Sequence, residues 1–187
     1  MRISPDDPVN AGSWGSWTIE WTAGPSGLNP SGAVALQISP FWGWSPPQTE
    51  RPGMAGYTTI KAPEGVRFEW TDPMTPMSLT ARLREGKLTA GDRVRFVYGD
   101  STVGGTGSLA RADLYAEEFE ELLIRTDFEG DGAFALVKDQ PTIRILPGEV
   151  KRLAVALPSV VEPNTRFDVR VSALDARGSW TELPPGT

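Results

Sequence analysis

Trp17-Thr18-Ile19-Glu20-Trp21 sets three large apolar side chains against two polar ones with a period of two. Successive side chains of a strand point to opposite faces of a sheet, so this run predicts a β-strand with one buried face. The pattern returns in Val34, Leu36 and Ile38, in Val66, Phe68 and Trp70, in Leu79, Ala81 and Leu83, and in Val94, Phe96 and Tyr98. It continues in the apolar run Ala133 to Val137, in Ile143 and Ile145, in Leu153, Val155 and Leu157, and in Phe167, Val169, Val171 and Ala173. With 20 Gly and 17 Pro in 187 residues, turn signals interrupt these runs too often for long helices. The expected fold is all-β: an antiparallel β-sandwich with immunoglobulin-like character and at most one short helix.

Asp113 to Ile124 is the exception, because Tyr115, Phe119, Leu122 and Leu123 fall near helical spacing in an Ala-, Leu- and Glu-rich stretch. A short helix fits its first half. The second half runs from Phe119 through Arg125-Thr126-Asp127 to the Gly130-Asp131-Gly132 turn and reads as a strand entering a hairpin. Glu117, Glu118, Glu120 and Glu121 read as a solvated face.

The turn Leu146-Pro147-Gly148-Glu149 separates a main sandwich domain, 1–148, from a closing strand pair, 149–187. That pair resembles the opening strands of a bacterial immunoglobulin-like module. Two strands cannot bury a core alone, so the pair is expected to pack on the preceding sheet or to begin a module continuing past Thr187. The ending Leu183-Pro184-Pro185-Gly186-Thr187 reads as a cut.

The chain has no His and no Cys, and its formal net charge is −6. Imidazole and thiolate, the usual carriers of proton shuttling, nucleophilic attack and transition-metal ligation, are therefore missing. No cofactor is expected. The negative charge disfavours nucleic acid and anionic membrane as partners. No apolar run approaches the roughly 18 residues needed to span a bilayer, and Met1-Arg2-Ile3-Ser4-Pro5 opens no signal peptide, which favours the cytoplasm. Paired carboxylates of the glycosidase kind are the main catalytic option left, and the sequence offers no means of choosing a pair.

Phe41-Trp42-Gly43-Trp44-Ser45-Pro46-Pro47-Gln48 is the most unusual stretch. Stiff Pro-rich backbone can hold aromatic faces outward, which marks Phe41, Trp42, Trp44 and Gln48 as a candidate contact surface for a protein or a carbohydrate. The competing reading folds the rings back to cap one end of the sandwich. Gly99 to Gly107 has the glycines of an anion cradle but lacks the Gly-Lys-Ser/Thr ending of a P-loop, and reads as a mobile loop. Asp127 to Gly132 imitates the start of a calcium loop, yet Lys138 stands where the bidentate Glu belongs, so a hairpin turn is expected.

Phe41 to Gln48, Gly56-Tyr57-Thr58, Ala90 to Asp100 with its Gly-rich continuation, Phe119 to Asp127 with the Gly-Asp-Gly turn, and Phe167 to Gly178 together carry a family likeness. They resemble the amino-terminal region of a bacterial family catalogued as domain of unknown function 3604, over most of the chain. Longer members continue into a portion resembling metal-dependent hydrolases of the polymerase-and-histidinol-phosphatase type. None of the His and acidic ligands of that portion maps onto this sequence. The resemblance implies a non-catalytic accessory β-domain that positions or shields a downstream hydrolase-like domain. The alternative is an independent carbohydrate-binding module with Trp42 and Trp44 as stacking platforms, and a carboxylate-based glycosidase is the third.

Overall fold

The alternating runs become strands in the computed structural model, which describes residues 1–41 and 43–183. In chain order the first are β1 (Arg2–Ser4), β2 (Val9–Asn10), β3 (Trp14–Gly15), β4 (Trp17–Thr22), β5 (Ala33–Gln37), β6 (Thr58–Lys61), β7 (Arg67–Thr71), β8 (Ser78–Glu85) and β9 (Arg93–Tyr98). After one helical turn, α1 (Ser101–Gly104), come β10 (Ala110–Arg111), β11 (Glu117–Glu121), β12 (Leu123–Asp127), β13 (Ala135–Leu136) and β14 (Thr142–Leu146). The last three are β15 (Arg152–Ala156), β16 (Arg170–Leu174) and β17 (Trp180–Thr181).

Two antiparallel sheets make the sandwich, one in the order β1-β4-β9-β6 and the other β13-β12-β5-β8-β7. In the first, Trp17 pairs with Tyr98, Ile19 with Phe96 and Trp21 with Val94, so these six apolar side chains share one face. The second answers with Val34 opposite Ala81, and with Leu36 between Leu79 and Ile124. The two inner faces merge into a single buried cluster, with Ile19 at 0% exposure. Each such side chain contributes about 1.5–3 kcal/mol by leaving water. A third sheet, β11-β14-β2, adds Ile143 and Ile145 to this cluster. Ala33 and Ala35, on the outer face of β5, are also buried, and stand opposite Arg82 and Arg125 in the ladder.

Asp113 to Ile124 forms no helix: its second half is β11 leading into β12, as the hairpin reading expects. Its first half is a turn, in which Asp113 Oδ1 accepts the main-chain N–H of Tyr115 at 2.8 Å. Helix formation loses here because that local bond competes with the helical ladder. The helical turn lies instead in the Gly-rich segment, capped by Asp100, which accepts the N–H of Thr102. That segment approaches its neighbours closely at Gly104 and Gly107. A Cβ at Gly104 would lie 1.8 Å from Ser108 Oγ and 2.3 Å from the nitrogen of Gly53, and one at Gly107 would lie 2.4 Å from the oxygen of Gly53.

The chain leaves β14 at Pro147 and builds a separate antiparallel sheet, β15-β16-β17. This sheet is tied to the body through the turn after β16. Gly148 N–H donates to Asp175 Oδ2 at 3.0 Å, and Ala116 N–H reaches Ser179 Oγ at 3.4 Å. Register places Leu153 opposite Ala173 and Val155 opposite Val171 on one face. That face is covered only at Ala173, which is buried: Leu153, Val155 and Val171 are exposed, Val155 to 58%, as are Leu157 and Val169 just beyond the strand ends. Among the described residues no helix is long and apolar enough to cross a membrane.

Candidate functional site

Gly43 turns the chain with φ of +104°, a conformation that strains any residue with a Cβ. Leu114 fills the space, and would sit 2.7 Å from a Cβ at this position. The turn sends Trp44 inward. Its ring meets Trp17 edge to face at 5.3 Å and lies 6.1 Å from Tyr98, leaving Trp44 3% exposed. The Tyr98 hydroxyl donates to the carbonyl of Ser45, and Ser45 Oγ accepts the N–H of Arg111 at 2.9 Å, which closes the lid. Trp44 is therefore a core residue and not part of a contact surface. An indole of this size gains more by completing the sandwich end than by facing water.

Gln48 is also occupied within the loop. Its Nε2 donates to the carbonyls of Arg51 and Met54, and its Oε1 accepts the N–H groups of Glu50 and Arg51. It organises the turn. Trp42 lies outside the described residues. Phe41 remains at the surface, 64% exposed.

Other residues that the alternation does not single out gather around Arg111. The Arg111 guanidinium donates to the carbonyl of Gly43 at 3.2 Å and lies 6.0 Å from the exposed ring of Trp14. Trp14, Arg111, Leu114, Lys151 and Arg177 line a cleft of about 560 Å³ between the sandwich and the terminal sheet. The sequence does hold a signal for Trp14: it stands between Gly12 and Gly15 with no apolar residue two positions away, and so belongs to no buried strand face.

Three of the buried aspartates, Asp100, Asp127 and Asp175, are occupied by local hydrogen-bond donors. Asp127 accepts the N–H groups of Gly130, Asp131 and Gly132 and lies 3.7 Å from Arg82, so the calcium-like stretch is a hairpin turn. Asp175 accepts from Gly148, Arg177 and Ser179. Burial alone would raise its carboxyl, but these N–H groups hold it below the usual range. Asp100 behaves likewise, burial being outweighed by the hydroxyls of Thr102 and Thr59 and the N–H of Thr102.

Asp113 and Glu120 differ. Asp113 is fully buried, its Oδ2 has no hydrogen-bond partner, and burial pushes its carboxyl up. Glu120 is 8% exposed and pushed up to about 7, first by burial and then by the negative charge of Asp113. The reading of Glu120 as part of a solvated face is thus overturned. The charge of Asp113 and burial together favour the protonated form of Glu120, and neither acid lines the cleft beside Trp14 or the one of about 890 Å³ beside Trp180. Among the described residues no group of three or more His, Cys, Asp or Glu is placed to hold a metal ion. The chain matches no protein-family model, and comparison with curated proteins finds no match.

Proposed function

We propose that this chain is a non-catalytic accessory β-domain of a larger hydrolase-like protein, and that it positions or shields a neighbouring catalytic domain. The carrying observation is the terminal sheet, where Leu153, Val155 and Val171, with Leu157 and Val169 just beyond the strand ends, are apolar and exposed. Apolar patches of this extent mark interaction surfaces on soluble proteins. A sheet with one apolar face reaches stability by packing that face on a second layer. Trp14 adds exposed apolar surface on the sandwich side of the adjoining cleft. The absence of His and Cys, and the use of the buried aspartates as loop organisers, support a role in contact over one in chemistry.

A photo-crosslinking amino acid at Val155, in protein produced in its native cells, tests this. The expected product joins the terminal sheet to a hydrolase-like polypeptide segment. Crosslinks no more frequent than from a control position such as Ser26, or reaching only unrelated proteins, would end this reading.

A further inference from the structure

β11 pairs with β14 in a broken register. Glu117 lies opposite Ile145, whereas Glu120 lies opposite Ile143, so Glu118 and Phe119 together face the single residue Arg144. This β-bulge inverts what the sequence would choose. Ile143 points into the core, and the residue opposite it shares that face. Uninterrupted pairing from Glu117 would put Phe119 there and set Glu120 opposite the exposed Thr142. The bulge instead buries a carboxyl and leaves a phenylalanine 75% exposed.

The surroundings of Glu120 keep the inverted arrangement conditional. Asp113 and Glu117 are the charged groups acting on it, and both disfavour its ionised form. The Ser39 hydroxyl and the Trp44 indole are the polar groups turned toward it. Arg144, across the bulge on β14, is held by Glu118 at 3.0 Å. A proton on Glu120 removes the repulsion, and its loss leaves a poorly compensated buried anion beside the unpaired Oδ2 of Asp113.

We propose that β11 is a proton-operated register switch: protonated Glu120 holds the bulge between Glu117 and Glu120, and ionisation moves the bulge past Glu120, turning Glu120 outward and Phe119 into its place opposite Ile143. A one-residue slip exchanges the faces of a strand, so a short shift suffices. The slip is absorbed at Glu121 and Leu122, where the chain already passes from the sheet of β14 to that of β5. The acidic form displays an aromatic side chain on the surface and the alkaline form withdraws it.

Fluorine NMR of protein carrying 4-fluorophenylalanine reads the switch directly, the Phe119 signal being assigned by its loss in Phe119→Leu. Exposure of the ring follows from the shift of its signal between light and heavy water. The expected result is an exposed ring at pH 5.5 and a buried one at pH 8.5, with a midpoint near 7, and a ring exposed at both values in Glu120→Gln. A Phe119 signal equally exposed at both pH values overturns the proposal. So does a pH response that persists in Glu120→Gln.

Discussion

The sandwich and the terminal sheet start from the same pattern and end in opposite states. Trp17-Thr18-Ile19-Glu20-Trp21 and Leu153-Ala154-Val155-Ala156-Leu157 both place three large apolar side chains at alternate positions, with polar residues between them in the first and alanines in the second. In β4 they are buried, because the sheet of β5 and β8 lies across from them. In β15 the same periodicity gives a strand with correct pairing to β16 and an apolar face open to solvent. Alternation thus selects a face to bury, while burial needs a second layer that the strand cannot supply itself.

The largest expected effect tests the sandwich side of this contrast. Trp44→Ala removes a buried ring between Trp17 and Tyr98 and is expected to cost about 3–5 kcal/mol in chemical denaturation. A loss below about 1 kcal/mol would show that the end of the sandwich is not closed by this residue.

Next comes pH. Burial lifts the Glu120 carboxyl from an ordinary 4.5 to about 7 in the folded protein, so the folded state keeps a proton that the unfolded chain releases between those values. Its contribution is therefore full below about 4.5 and is lost as pH rises through about 7. The loss should reach up to about 3 kcal/mol, and a register slip would reduce it by relieving the anion. Denaturation curves from pH 5 to 8.5 should show this decline in the parent and a flatter profile in Glu120→Gln.

Gly107→Ala should lower stability by about 1–3 kcal/mol, because the new methyl meets the carbonyl of Gly53 in a close backbone approach. Gly24→Ala, where a Cβ meets nothing within 4 Å, is the matched control. The smallest effect belongs to the terminal sheet. Val155→Asp with Val171→Lys should change the stability of the isolated chain by no more than about 0.5 kcal/mol, since both side chains already face water. Val171→Lys, opposite position 155, should by itself abolish the crosslinks that a probe at 155 forms with a neighbouring domain. A large destabilisation would mean that this face is already covered, and the contrast with β4 would fail.

The sequence by itself determined the fold class and most of the strands. Period-two alternation and Gly/Pro punctuation are local consequences of strand geometry, and Trp17 to Trp21, Leu79 to Leu83 and Arg93 to Tyr98 lie in strands where the pattern places them. It also fixed the limits of the chemistry, since a chain without His or Cys has few groups that titrate or ligate near neutrality. What it left open at Phe41 to Gln48 was direction. The positive φ at Gly43 and the seat made by Leu114 send Trp44 inward, and Leu114 is 71 residues away along the chain. The Glu120 and Asp113 pair was hidden for a similar reason: a run of glutamates reads as solvated until pairing with β14 inserts a bulge and turns one of them into the core. Local periodicity is set by backbone geometry, whereas which face is covered, and by what, depends on segments remote in sequence, and only the tertiary structure brings those together.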